Sequence, residues 1–586
     1  VTPLLLAATS VLLVTLDTTR ADHLGCYGDR RAATPAIDAL AASGARFEQA
    51  LAPAPLTFPS HATILSGRVP RRHGVRDNAL FRLRPDVPVL AESFKRAGHK
   101  TAAFVGAAVL DGRLGLSRGF DVYDDEIGKA AALGEEPERR GDRTTDLALA
   151  YLGRVDAPFF VWVHLYDPHL PYAPPEPYAS RFSGRPYDGE IAFVDAQVRR
   201  LVAAARARSS TLVVALAGDH GESLGEHGED THGVFLYQAT QRVPLVIAGP
   251  GVAAGRVVRE TVGLVDVAPT IAELGGIPAL AGADGTSLVA SLSGRGAPPR
   301  RDVEMESFFP LFSYGWAPLR ALVRGGLKFV DAPRSELYDL SKDPAETKNM
   351  RLARRNEALE LSRALAARVE GDAPTPEAMD PALAEHAARI ASLGYVGGSA
   401  AGDSAEVIDP KDGIGWIGDL YAGRHALAAK RPADGIAPLS RLVARNPQNL
   451  PALMTLASCF QQAGRLDEAI GVHRRALALY PNSAVTWKNL GGALAEQKKK
   501  DEARATFEKA LALAPEDADA LHELSRLAFE RSDFAAAERY LARELAVRPV
   551  AAVARALGDL RSKKLGDAAG AKEAYRRAKE LEGSKP

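Results

Sequence analysis

Four prolines, Pro447, Pro481, Pro515 and Pro549, stand 34 residues apart. Gly464, Lys498, Ser532 and Gly566 keep the same spacing, and so do Ala469, Ala503, Ala537 and Ala571. A fixed period of this length means that one supersecondary unit is repeated, each copy burying its apolar face only against its neighbours. The fullest copy carries Trp487, Leu490, Gly491, Ala503, Phe507, Ala510 and Pro515, a pattern of paired helices in which small residues allow close approach. A plain α-hairpin bundle would not keep four prolines in phase. Three clear copies with degenerate ones at either end place a repeat domain at about 413–584. The pattern specifies a solenoid and names no ligand.

The N-terminal half follows different rules. VLLVTL (Val11 to Leu16), FFVWVHL (Phe159 to Leu165) and TLVVALA (Thr211 to Ala217) are nearly continuous apolar runs rich in β-branched residues. Such runs predict strands buried on both faces of a parallel sheet. Each is followed by carboxylate or imidazole groups: Asp17 after the first, Asp167 and His169 after the second, Asp219 and His220 after the third. A lone Asp after a strand is commonly a helix cap. Ligands of open α/β sheets bind outside the carboxyl ends of the strands, however, so three loaded ends can converge on one crevice. Between them the pattern predicts a helix at Thr34 to Ser43 capped by Thr34, a helix at Val89 to Ala97 and a strand at Thr101 to Val105. Arg320 to Leu340 alternates like an antiparallel hairpin, and Arg351 to Glu370 like a charged amphipathic helix. These divisions give an apolar segment at 1–10, a catalytic domain at 11–298, its C-terminal subdomain at 299–370 and an Ala-, Gly-, Pro- and Asp-rich linker at 371–412.

Composition narrows the function. Lys plus Arg and Asp plus Glu number 73 each in 586 residues, so no basic surplus supports nucleic-acid binding. Cys26 and Cys459 are the two cysteines, which excludes a disulfide framework and a thiolate zinc site; Cys26 reads as a packed small residue. The opening VTPLLLAATSVLLVTL is apolar for 16 residues, short of the roughly 20 of a membrane span and without the basic start of a signal peptide. It reads as a buried strand preceded by the remnant of a longer leader, and membrane association stays open.

Leu56 to Gly67 reads LTFPSHATILSG, with Thr57 before a Phe-Pro-Ser-His turn and His61 to Leu65 as first turns of a helix. Threonine before a proline turn is ordinarily a turn former. A helix start also presents unpaired N–H groups and the positive dipole end to an anion, and Pro59 is tolerated there.

LVTLDTTRADHLGCYG (Leu13 to Gly28), HLYDPHLPYAPP (His164 to Pro175), GDHGESLGEHGEDTHGVFLYQATQRVPLVI (Gly218 to Ile247) and the late ELYDLSKDPAETKNM resemble the sulfatase family of the alkaline phosphatase superfamily. The repeat resembles the tetratricopeptide family. The first resemblance covers about Val11 to Met350. It implies an α/β sandwich with a mostly parallel central sheet and a small C-terminal subdomain, followed here by an all-α solenoid. It also implies metal-dependent attack on a sulfate or phosphate ester.

The departures bear on the chemistry. Family members carry Cys or Ser before x-Pro-Ser-Arg and oxidise it to formylglycine; this chain has Thr57 and, for the arginine, His61. Oxidation of a threonine would give a ketone, so no formylglycine is expected. TFPSH is similar instead to the nucleotide pyrophosphatase/phosphodiesterase branch and to phosphoethanolamine and lipoteichoic-acid transferases, which use a threonine nucleophile. Thr18 replaces a second aspartate, and Phe104-Val105-Gly106-Ala107 stands where a lysine–histidine pair is expected. The resemblance then implies one divalent metal held by Asp17, Thr57, Asp219 and His220. Mixed O/N ligands favour Zn²⁺ or Mn²⁺ over Ca²⁺ or Mg²⁺. His169 and His232 match positions that contact the anion or protonate the leaving group. A second metal on Asp167, His169 and His232 is the less favoured arrangement. Arg20, His73, Asn78 and His227 either line the crevice or serve as solvated and structural residues.

These readings combine into a metal-dependent ester hydrolase cleaving a phosphodiester or phosphomonoester through Thr57. The alternatives are a sulfuric ester hydrolase, a phosphotransferase acting on a lipid or glycan headgroup, and a repeat scaffold carrying an inactive sulfatase-like domain. The expected partners are an anionic ester and a protein or peptide on the repeat surface, and the resemblance leans toward an extracytoplasmic location.

Overall fold

The computed structural model describes residues 9–127, 138–372 and 407–583. Residues 1–8 of the apolar opening segment and 373–406 of the expected linker lie outside them. The chain divides into two compact units, residues up to about 415 forming the first apart from 312–315, and Trp416 onward falling in the second.

The first unit is built on a nine-stranded sheet. Its strands are β1 (Ser10–Leu16), β2 (Ala45–Leu51), β3 (Lys100–Phe104), β4 (Val122–Asp124) and β5 (Phe159–Leu165). They continue with β6 (Leu212–Gly218), β7 (Arg242–Val243), β8 (Leu245–Ala248) and β9 (Arg256–Gly263). The order is β4-β3-β5-β1-β6-β8-β2-β7, with β9 also paired to β2. From β4 to β6 every pairing is parallel; β8 runs antiparallel to both β6 and β2. The three apolar runs are the centre of this sheet, fully buried along β1, β5 and β6. Leu12, Val14 and Leu16 pack with Val161 and Val163 under Ile191, Val194 and Val198 of the helix Pro186–Arg208.

Register decides where the polar ends fall. Leu16 pairs with Leu165 on one side and Gly218 on the other. The next residues are tied across the same rung, Asp17 N–H to the Leu165 carbonyl at 3.0 Å and Asp219 N–H to the Leu16 carbonyl at 3.1 Å. The carboxyl ends of three adjacent strands therefore open at one level, where sheets of this kind bind ligands.

The expected hairpin at Arg320 to Leu340 is part of a larger element. Strands β10 (Val303–Ser307), β11 (Leu319–Arg324), β12 (Leu327–Asp331) and β13 (Glu336–Asp339) form a four-stranded antiparallel sheet, covered by the helix Arg355–Val369. The acidic, polar spacing around Val303 hid its first strand. Residues 407–412, expected as linker, also pack on this unit: Asp409 and Asp412 receive Arg334. Thr34 precedes the helix Pro35–Ser43 as expected, but its hydroxyl accepts from Gly25 N–H at 2.9 Å and not from the helix.

Among the described residues the second unit has five successive helix pairs, from Ile417–Ala428 and Pro432–Arg445 to Ala551–Leu560 and Ala568–Gly583. Gly464, Lys498, Ser532 and Gly566 all adopt positive φ in the turn of their pair, and Lys430 continues the register one copy earlier. A Cβ on Gly491 would come 2.8 Å from the Phe507 ring, so the hairpin closes only on glycine there. Ala469, Ala503, Ala537 and Ala571 are buried at the matching contact.

His473 occupies the core position held by Leu439, Phe507, Leu541 and Tyr575 in the other copies. It is buried, and among the described residues neither ring nitrogen meets a hydrogen-bond partner. Burial pulls its pKa down to about 4. Below the ordinary histidine range the unfolded chain therefore takes up a proton that the folded repeat refuses, and stability falls as pH drops from about 6.5 to 4. His473→Leu should remove this loss, its advantage over the natural chain growing by roughly 3 kcal/mol between pH 7 and pH 4. Denaturant unfolding of the helical signal at both pH values measures it; an advantage independent of pH would refute it.

Candidate active site

Thr57 opens the helix Thr57–Ser66, which starts one turn earlier than the sequence pattern suggested and is buried throughout. Pro59 is its third residue, where a missing N–H leaves no bond unmade. Asn78 Oδ1 takes the Phe58 N–H at 2.9 Å, fixing the helix start. The Thr57 hydroxyl consequently faces the strand ends, with Oγ1 3.5 Å from Asp17 Oδ2 and 3.4 Å from His220 Nε2. Asp17, Asp219 and His220 form a fully buried cluster whose ligand atoms lie within 4.8 Å of one another.

Hydrogen bonds around the cluster set which atoms carry lone pairs. His220 Nδ1 donates to the Gly221 carbonyl at 3.0 Å, so the neutral ring keeps its lone pair on Nε2, toward Asp17 and Thr57. Burial, then the neighbouring His232, hold the His220 pKa down to about 3. His61 is a different case. Trp162 Nε1–H donates to Thr15 Oγ1 at 2.9 Å, so the Thr15 hydroxyl donates onward to His61 Nε2, and the His61 proton sits on Nδ1. That proton goes to the Thr57 carbonyl at 2.7 Å, with Asp219 Oδ2 at 3.5 Å. The residue that replaces the expected arginine is thus a neutral brace between strand β1 and the first helical turn.

His164, near the end of β5, accepts Gly106 N–H on Nδ1 at 3.3 Å and points Nε2 at Asp17 Oδ2, 3.4 Å away. Its Nε2 proton therefore faces the carboxylate. Burial opposes ionisation of Asp17, but His164, followed by His220 and His169, holds its pKa well below the usual range. Asp219 moves the opposite way, raised by burial and by the charge of Asp17. Two carboxylates this close cannot both ionise without a cation.

The fit to a divalent metal is therefore specific. Asp17 Oδ1 and Asp219 Oδ2 are buried with no hydrogen-bond partner among the described residues, and His220 Nε2 offers a lone pair beside them. Asp17, Asp219 and His220 with the Thr57 hydroxyl supply three oxygens and one nitrogen, a mixed donor set suited to a divalent metal ion. His61 and His164, grouped with Asp219 by distance, present protons and are second neighbours.

The remaining expected residues divide. His232 lies beside His220, ring centroids 4.5 Å apart, and His169 beside His232 at 5.2 Å. Glu222 accepts His232 Nδ1–H at 3.0 Å, and the Leu170 carbonyl accepts His169 Nδ1–H at 2.8 Å. In their neutral forms both keep the lone pair on Nε2. Asp167 is not with them: its carboxylate takes the Gly141 N–H at 2.7 Å at the start of the helix Gly141–Leu152. Among the described residues no three-ligand cluster includes His169 or His232. Thr18, at φ 42°, bonds its hydroxyl to the Pro168 carbonyl. Arg20 is paired with Asp22 and Glu226; His73 is buried between Thr63 and Val75 N–H. His227 stacks on Tyr237 at 3.6 Å, and half-buried Cys26 packs against the core. His164 and Glu222 were not singled out from the sequence. His164 reads as the interior of an apolar strand, and only its place one residue before the strand end could have marked it.

A buried set of carboxylate and imidazole donors at the carboxyl ends of a mostly parallel sheet, with a hydroxyl on a helix start, is the arrangement of a hydrolase of anionic esters. Residues 9–277 match the sulfatase family model, 225–372 the C-terminal model of N-sulphoglucosamine sulphohydrolase and 449–516 the tetratricopeptide repeat. The first unit is a sulfatase-family domain and the second carries tetratricopeptide repeats. Choline-sulfatase of Rhizobium meliloti is 27% identical over 406 residues, 54% of this chain and 77% of that protein. Human arylsulfatase A is 25% identical over 420 residues, 58% and 83% of the two chains. The structure of a phosphonate monoester hydrolase from Agrobacterium radiobacter superposes with TM-score 0.54 at 22% identity, over 62% of this chain and 96% of that one, a likeness of fold.

Zn²⁺ or Mn²⁺ at a hundredfold excess over its Kd should stabilise the first unit by about 2.7 kcal/mol. Asp219→Asn should raise the stability of the metal-free protein, by replacing a carboxyl that must take up a proton to stay buried beside Asp17, and abolish the metal response. Thermal unfolding with and without metal measures both.

Proposed function

We propose that the first unit is a metal-dependent phosphoester hydrolase whose nucleophile is Thr57. The observation carrying this reading is the Thr57 hydroxyl at 3.5 and 3.4 Å from Asp17 and His220, at the edge of a buried donor set. Asp17, Asp219 and His220 would hold the metal, which when bound lowers the pKa of the hydroxyl. Thr57 Oγ1, its proton given up to solvent, forms a bond to phosphorus as the bond from phosphorus to the alcohol oxygen breaks. The leaving oxygen takes a proton from His169 or His232 in its imidazolium form. Water then attacks phosphorus as its bond to Thr57 Oγ1 breaks; a histidine Nε2 accepts the water's proton, Thr57 leaves as the alkoxide, and phosphate departs from a monoester substrate or a phosphomonoester from a diester.

Phosphate is favoured over sulfate because a threonine Cβ cannot become the aldehyde that formylglycine chemistry requires. His61, in the arginine's place, is committed to Thr15 and the Thr57 carbonyl, consistent with a hydroxyl used as it stands. The repeat unit supplies a surface for a protein partner. An extracytoplasmic location suits a hydrolase of this family. Among the described residues no helix is long and apolar enough to cross a membrane.

Nitrophenyl phosphodiester, phosphomonoester and sulfate, offered to Zn²⁺- or Mn²⁺-loaded protein, test the reading. Phosphoester cleavage should exceed sulfate cleavage. Thr57→Ala should lower kcat by at least about a thousandfold while leaving metal binding measurable, the size expected for loss of a nucleophile. Dominant sulfate turnover, or a Thr57→Ala variant as active as the natural chain, would overturn it.

A further inference from the structure

His232 is carried by a stretch of chain that has no ladder of its own. Residues 232–238 are continuously buried, and from 229 to 237 the backbone is neither helix nor strand. Buried backbone N–H and C=O groups need partners. Here charged and hydroxyl side chains supply most of them. Glu229 accepts Val234 and Phe235 N–H at 2.7 and 3.3 Å. Ser307, on β10, donates to the Gly233 carbonyl. Lys328, on β12, donates to the Leu236 carbonyl, and Glu346 accepts Gln238 N–H. Gly233, at φ 107°, lies against the Phe309 ring, which a Cβ would meet at 3.0 Å.

Three of these fasteners come from the small sheet and the loop after it. Lys328 and Glu346 also pair with each other at 2.7 Å, both side chains fully buried. A buried ion pair is a poor source of stability, since apolar residues of the same volume often do better. This pair does something they cannot: it meets a carbonyl and an amide two residues apart on the His232 segment. Glu222 accepts the His232 Nδ1–H, so the ring is set by its own hydrogen bond and by its backbone.

We propose that Lys328 and Glu346 are positioning residues for His232: the ion pair carried by the small sheet fixes the 232–238 segment and so presents the imidazole to the reacting centre. This rests on the hydrolase reading for its kinetic consequence alone. The small sheet is then part of the active-site machinery, acting through main-chain contacts and touching no substrate.

The test is the double substitution Lys328→Met with Glu346→Gln in the metal-loaded full chain. It keeps volume, removes both charges together and leaves an acceptor for Gln238 N–H. Hydrogen exchange should accelerate in peptides covering 229–241 and not in those covering Asp17 or Asp219. Modification of His232 by diethyl pyrocarbonate, read by peptide mass mapping, should quicken. The kcat for the cleaved ester should fall about tenfold to a hundredfold, the scale of a small misplacement, with KM within about twofold. Zn²⁺ affinity should hold. Unchanged exchange and unchanged His232 modification would overturn the proposal, as would faster exchange with kcat intact. A parallel loss of kcat and Zn²⁺ affinity would overturn it too, by showing general damage. A natural chain that cleaves no ester would fail the hydrolase reading, and exchange and His232 modification would still decide this one. Ser307→Ala, which removes a single neutral bond from the same segment, should shift exchange in the same direction by less.

Discussion

Two buried carboxylates facing one imidazole govern the first unit. Asp17 and Asp219 sit on neighbouring strands with one oxygen each left without a partner among the described residues, and each destabilises the charge of the other. A divalent cation resolves this, and its binding displaces protons because its ligands must be deprotonated. The surrounding design follows from that need. The sheet register brings the two carboxylates to one level, His220 turns a lone pair inward, and His164 and His61 face the same carboxylates with protons. Imidazoles that could all have been read as ligands are told apart by what their other nitrogen touches, which leaves a lone pair facing the carboxylates on His220 and a proton on His61 and His164.

Much of this was legible in the sequence. The three apolar runs are the three central strands, and the residues after them are the ones the register brings together. A strand buried on both faces announces itself by composition, and the residue following it is placed by topology. The repeat was legible for a related reason, since a period survives even where individual positions drift. What stayed hidden is what side chains do across long sequence distances. His164 looks like any residue of an apolar strand until Gly106 N–H fixes its tautomer. Asp167, a member with His169 and His232 of the less favoured second-metal set, has its carboxylate on the helix start at Gly141. The strand at Val303 alternates acidic with apolar residues and carries too few β-branched positions to stand out.

The small antiparallel sheet changes meaning in this light. By itself it is an appendage burying Leu322, Phe329 and Leu337 beneath one helix. Through Ser307, Lys328 and Glu346 it also ends the unsatisfied backbone of a loop that no strand pairs. Ionic residues inside a core are commonly weighed as stabilising or destabilising. Here they serve as substitutes for secondary structure, giving an irregular segment the fixed geometry that a ladder would otherwise provide.

The turns of the helical repeats are chemically uneven. Gly464 and Gly566 take the left-handed conformation at no steric cost, whereas Lys430, Lys498 and Ser532 take it with a Cβ, at roughly 1 kcal/mol or more each. In a solenoid, stability is a sum over units and their interfaces. The first, third and fourth hairpins, closed by Lys430, Lys498 and Ser532, are therefore the costlier units, and two of them lie inside the array. Under mechanical or thermal load such an array has soft units in its middle as well as in its first hairpin, where one with uniform turns would fray from its termini alone.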